Sequence, residues 1–292
     1  MDRSGSSGEA FQRYPDLQMK PIHPKFGNPP LFEQAIAVVF DAIPTFSLGD
    51  FGKFWSRIDD EFDTCEARPI VDPRFEAFDQ PPHLGFEMRL VPAESLPRCF
   101  YRHKDKSELV QLQADRFGFN WLKRAERKYP HFELTVSRFF DLYDKFDAFC
   151  SERGFATPAV RQCEITNVNI VPVANAGEVD RARETFAHLP ELSTHSFLSP
   201  ETISYSTQHQ IMSEDGRPVG RLYQIFSPAV LTDTNERAYR LELTARGAPQ
   251  GEGSAGVKSF FELARTAING AFLAATTEAA QRTWGYIDGN RV

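Results

Sequence analysis

Residues 110–124, VQLQADRFGFNWLKR, alternate between apolar and polar positions on either side of a two-residue break. Val110 and Leu112 share one face of an extended segment, Ala114-Asp115 makes a tight turn, and Phe117, Phe119 and Trp121 line one face of the return strand. The pattern predicts a β-hairpin with an aromatic stripe. Arg116, Gly118, Asn120 and Leu122 fall on the opposite face, where a second layer, solvent or a ligand must lie.

The same reading extends along the chain. Residues 20–31 are dense in proline and therefore extended, and 33–40 (EQAIAVVF) form a β-branched run suited to a strand buried on both faces. From Ser47 the period changes: Phe51, Phe54, Trp55 and Ile58 recur at helical spacing, with Ser47 or Asp50 as N-cap. Strands are expected at 68–73, 85–92 and 97–103, leading into the hairpin. Across 131–150, Phe132, Val136, Phe139, Tyr143, Phe146 and Phe149 define a long helix with one aromatic face, ended near Gly154.

A similar order follows in the second part. It has a strand at 160–173, a short helix at 179–188, strands at 202–212, 218–227 and 237–245, and a closing helix at 257–282 with Gly285 as its cap. We expect an α+β fold of two similar halves, each an antiparallel sheet packed on a long C-terminal helix, in a helix-grip or TATA-binding-protein-like arrangement. The halves are placed at 20–154 and 155–292, after an unpatterned polar arm at 1–19.

Composition narrows the partners. A net charge of −7 weighs against broad binding to a phosphate backbone, so nucleic acid is not the expected partner. Twenty-six phenylalanines point to a core built from aromatic stripes. The four cysteines, Cys65, Cys99, Cys150 and Cys163, are widely spaced and form no CxxC pair; with no secretory leader pattern at the start, reduced thiols in a cytoplasmic protein are expected. No run approaches the ~20 apolar residues that a membrane helix requires.

Asn28-Pro29-Pro30-Leu31-Phe32-Glu33, then Val110-Gln111-Leu112-Gln113 with Asp115-Arg116-Phe117 and Phe119-Asn120-Trp121, and finally Phe272, Thr277 and Trp284-Gly285, resemble a sporadically distributed family of uncharacterised bacterial proteins. The resemblance spans almost the whole ordered chain. It implies a bacterial, soluble, accessory-type protein and supplies no catalytic residues. The family's patchy occurrence would suit a defence or toxin–antitoxin setting.

Candidate chemistry is sparse. Residues 251–256, GEGSAG, match G-x-G-x-x-G, but a dinucleotide fold needs this loop after its first strand, and here the chain ends one helix later. The seven histidines show no metal-ligand spacing, and there is no GxSxG or Walker A motif, so neither cofactor nor metal is expected. His209 shares a hydrogen-bonding strand face with Tyr205, Thr207 and Ile211. Arg116 and Asn120 share a face of one strand, Arg240 and Glu242 a face of another, and together they could line a groove that grips a charged ligand. The alternative is an Arg/Glu salt bridge tiling an exposed sheet face.

The favoured reading is a binding or regulatory protein that recognises a protein partner or small ligand, and a homodimer is compatible with it. The competing reading is an enzyme acting on a phosphorylated or nucleotide-like ligand, with Arg116 and Arg240 as anion binders, Glu242 or His209 as base, and Asn120 orienting the substrate.

Overall fold

A computed structural model of the chain describes residues 23–73, 75–79, 96–124, 129–156, 158–172, 179–190, 197–198, 200–231 and 234–287. The expected polar arm, the strand at 85–92, His83 and His195 lie outside the described residues. The first part contains β1 (Lys25–Phe26), β2 (Leu31–Phe40), α1 (Leu48–Trp55), β3 (Thr64–Arg68), β4 (Arg98–Arg102), β5 (Glu108–Gln113), β6 (Arg116–Leu122) and α2 (Phe132–Glu152). There follow β7 (Val160–Pro172), α3 (Val179–Thr185), β8 (Tyr205–Met212), β9 (Pro218–Val230), β10 (Arg237–Gly247), α4 (Gly253–Ala275), α5 (Glu278–Thr283) and β11 (Tyr286–Ile287). The fold is α+β. One nine-stranded sheet runs β3-β4-β5-β6-β2-β7-β10-β9-β8 with every neighbouring pair antiparallel, and β1 pairs with β11 in a small second sheet.

The hairpin at 110–124 forms as its alternation requires. Gln113 pairs with Arg116 around the Ala114-Asp115 turn, and Leu112 pairs with Phe117, so the aromatic stripe and its aliphatic partners share one face. That face meets α2. Phe117 lies 5.4 Å from Phe146, 5.5 Å from Tyr143 and 5.9 Å from Phe139 between ring centroids. Phe54 of α1 closes the cluster against Phe117, Phe146 and Phe149. On the other flank α4 buries Phe260, Phe261, Ala264 and Ile268, and it packs on β7, β9 and β10. Both long helices therefore cover the same side of the sheet.

Two elements differ from the expected ones for local reasons. The strand placed at 68–73 lies earlier, at Thr64–Arg68, because Pro69 and Pro73 offer no N–H to a ladder. The closing helix begins at Gly253 rather than 257, and it breaks at Thr276, which adopts an extended conformation with its hydroxyl bonded to Phe272 O at 2.7 Å. Thr277 then caps a separate α5 by accepting from Ala280 N at 3.2 Å. Gly285 ends it at φ 72°, as expected of a left-handed cap.

Candidate ligand-binding cleft

The side of the sheet away from α2 and α4 carries four of the five polar residues singled out in the sequence. Register places Arg116 and Asn120 of β6 and Arg240 and Glu242 of β10 on this one face. They do not converge. Strands β2 and β7 separate the two pairs, a gap of about 14 Å at ~4.8 Å per strand. Asn120 is buried, accepts from Gln111 at 2.7 Å and donates to Glu33. Arg240 pairs with Glu242, its neighbour on the same strand face. His209 pairs in register with Leu222 and so lies on the opposite face at the sheet edge, exposed and bonded to Thr207 Oγ1 at 3.0 Å. The five residues therefore share no single site.

Arg116 has a structural partner instead. It bonds Glu164 of β7, whose side chain is 7% exposed, while Arg246 Nε stands 3.3 Å from the other carboxylate oxygen and Gln162 donates to it at 2.9 Å. Burial raises the Glu164 pKa, but the two arginines and the hydrogen bonds outweigh it and hold the group below the ordinary carboxylate value.

Residues 71–73 and 75–78 lie across this end of the face as a strap. Val71 exchanges backbone bonds with the Gln113 side chain at 2.9 and 3.0 Å, and Glu76 N donates to Gln162 at 3.0 Å. The strap's main clasp is the Glu76 carboxylate. It accepts from Arg221 Nε at 2.8 Å and from the Tyr223 hydroxyl at 2.6 Å, with both members of the ion pair under a tenth exposed. Burial, together with the Glu76 charge, pushes the Tyr223 phenol up to about 12, so it remains a donor. Glu76 lies outside the helices and strands, so loss of its partner is expected to undock this segment and return the carboxylate to water rather than trap it. Arg221→Met is expected to raise limited-proteolysis cleavage within 71–79 severalfold, with a smaller loss of global stability than the 3–5 kcal/mol of a fully trapped charge. A strap as resistant as in the wild type would show that the clasp does not hold it.

A cleft of about 840 Å³ opens on the other side, between the start of α2 and the middle of α4. Its walls include Phe26, Leu31, Phe132, Ile268 and Phe272, and its floor is the centre of the sheet, where Gln34 of β2 meets Asn167 and Asn169 of β7. These amides occupy helix-facing positions: Asn167 and Asn169 continue the row Cys163, Ile165, and Gln34 precedes Ile36 and Val38. Gln34 is 2% exposed and Asn169 4%. Gln34 Nε2 donates to Asn167 Oδ1 at 3.0 Å, and the Tyr129 hydroxyl donates to Gln34 Oε1 at 3.2 Å. Burial pushes the Tyr129 phenol well above its ordinary value, which fixes it as a neutral donor. His131 forms part of the wall at φ 69°, an uncommon conformation for a residue with a side chain, and its carbonyl is held by the backbone N–H and hydroxyl of Thr135.

No motif pointed to Gln34, Tyr129, Asn167 or Asn169. A signal was nonetheless present: two asparagines at apolar-side positions of an otherwise buried strand, opposite a glutamine in an aliphatic one. The other candidate chemistry resolves into structure. Gly251 adopts φ 115° and Gly256 packs so tightly on the Gly251 backbone that a Cβ would overlap it, so the glycine run serves the turn into α4. Cys99, Cys150 and Cys163 are buried, and burial pushes the Cys99 and Cys150 thiols up to about 12. Among the described residues, no group of three His, Cys, Asp or Glu side chains is arranged to hold a metal, and no helix is long and apolar enough to cross a membrane.

No family model matches the chain, and no curated protein matches it. Among solved structures it is similar to the di-domain ARO/CYC protein StfQ from the steffimycin biosynthetic pathway, at 13% identity over 60% of this chain and 74% of that one, with a TM-score of 0.14. A likeness at that level carries no argument about fold or function.

Proposed function

We propose that this is a non-enzymatic binding protein that holds a small organic molecule in the cleft between α2 and α4. One observation carries the reading: the buried amides of Gln34 and Asn169, with the half-buried Asn167 between them, form the floor of an 840 Å³ opening, at positions where the strand pattern otherwise places apolar side chains. Polar groups cost free energy when buried without full hydrogen bonding, and a bound molecule is one means of completing it. The residues weighed for catalysis are spread over two faces of the sheet, and that dispersal favours retention of a ligand over its turnover. A small molecule also fits the concave site better than a protein partner does.

The proposal extends to the architecture. Strands from residues 31–122 make up one flank and those from 160–247 the other; each flank leads into a long helix, and the two meet at β2 and β7. This order supports reading the chain as two related halves, 20–154 and 155–292, in the TATA-binding-protein-like arrangement, with the cleft above their junction. An accessory role in a bacterium is the setting that the sequence resemblance suggests, and the widely spaced cysteines favour the cytoplasm.

The experiment is recovery of small molecules, by denaturation and mass spectrometry, from protein soaked in a cell metabolite extract. Wild-type protein is expected to retain a discrete compound that Asn167→Phe, which fills the floor, loses while melting as a folded protein. Retention of nothing by the wild type, or of the same compound by both proteins, would sink the reading.

A further inference from the structure

The cleft floor has unused hydrogen-bonding capacity of a particular kind. An asparagine or glutamine side chain offers two N–H donors and a carbonyl oxygen with two lone pairs. Gln34 commits one donor to Asn167 and one lone pair to Tyr129, and Asn169 commits one donor to Leu241 O at 3.2 Å. Among the described residues, the Nδ2 group of Asn167 donates to nothing and Asn169 Oδ1 accepts from nothing. The two residues are two apart on β7, so they face the same way about 7 Å apart and set a donor beside an acceptor.

Charged and titratable side chains also line the cleft, Lys25, His23 and His131 among them, and its arginine is ion-paired. Arg265 Nη2 stands 2.8 Å from Glu133 and Nη1 stands 3.6 Å from Glu262, while its guanidinium lies 4.5 Å over the Phe132 ring. The start of α2 would otherwise attract an anion, but it carries the Glu133 carboxylate, which accepts from its own backbone N–H. At the floor itself the polar groups that a head group would meet are the amides of Gln34, Asn167 and Asn169 and the Tyr129 phenol. Burying a charge in such surroundings costs far more than burying a hydrogen-bonded neutral group.

We infer that the ligand is a neutral, mainly apolar molecule with a carboxamide- or lactam-like edge, its carbonyl accepting from Asn167 Nδ2 and its N–H donating to Asn169 Oδ1. The inference rests on the small-ligand reading and names the chemistry that reading leaves open. Sites that pair with a substrate N–H discriminate strongly against analogues lacking it, because their own polar groups are then stranded. The aromatic wall residues favour a flat or branched apolar body.

Isothermal titration of the intact protein at pH 7 with octanamide, octanoate and octan-1-ol tests it. Octanamide is expected to bind at least about tenfold more tightly than octanoate, and Asn167→Leu is expected to remove that preference rather than weaken both ligands alike. Octanoate binding as well as or better than octanamide would overturn the amide assignment and leave the binding function standing. Binding of none of the three would overturn both. An Asn167→Leu protein that kept the tenfold preference would also defeat the assignment, and the wild-type comparison decides the matter even if that variant fails to fold.

Discussion

Phe117→Ala is expected to lower stability by about 3–5 kcal/mol, read as a shift of the urea midpoint at unchanged slope. Phe117 is fully buried and stands at the middle of the aromatic cluster, with Phe54, Phe139, Tyr143 and Phe146 all within 6.2 Å of it between centroids. Deleting the ring loses its transfer free energy and several edge-to-face and stacked pairs, each worth about 0.5–1.5 kcal/mol beyond area. The surrounding rings belong to α1, α2 and the sheet, three elements that cannot all move inward, so the cavity stays open and the cost lies toward the upper end. Leu48→Ala is the control: Leu48 is 65% exposed, and its loss should fall within about 0.5 kcal/mol. A Phe117→Ala cost near that of the control would mean that the hairpin does not anchor the sheet to α2.

That hairpin was legible because every cue in it is local. Period-two alternation fixed its faces, a two-residue turn fixed its register, and the aromatic helix at 132–149 supplied a matching surface. Helix existence was equally readable, whereas the break at Thr276 was not, since it depends on a threonine bonding back to Phe272 within an otherwise helical pattern. Strand order lay out of reach: nothing in 33–40 or 160–173 alone says that these two strands pair at the centre of the sheet. The polar face was half readable. Parity put Arg116 and Asn120 on the correct side, but their partners, Glu164 and Glu33, come from other strands, so residues that look available in sequence are already engaged. The strap at 71–73 and 75–78 has no periodicity to announce it. The cleft draws on segments near 23–34, 129–134, 165–169 and 262–272, none of which carries a motif, and only the pairing of β2 with β7 makes a site of them.

Glu164→Gln is expected to cost about 3 kcal/mol at pH 7, the lower end of the 3–5 kcal/mol typical of removing one member of a buried ion pair. Glu164 stands between Arg116 and Arg246, and Gln would leave two guanidinium groups facing each other with a neutral amide between them. The arginine side chains are 17% and 28% exposed, so part of their charge reaches water, which is why the lower end applies. Glu76 lies outside the sheet, whereas Glu164 is held in β7 by ladder pairing with β2 and β10 on both sides, so its site stays in place when the carboxylate is changed. The pH dependence separates charge from packing. The folded-state pKa of Glu164 is held below its ordinary 4.5, so its stabilisation is fully present above pH 4.5 and is lost as pH falls through the folded value. Wild type and Glu164→Gln should therefore differ most near neutrality and converge on acidification, in parallel urea titrations from pH 7 to pH 3. A gap that stayed constant with pH would assign the loss to shape and hydrogen bonding, and would remove the Arg116–Glu164–Arg246 charges from the account of what holds the centre of the sheet together.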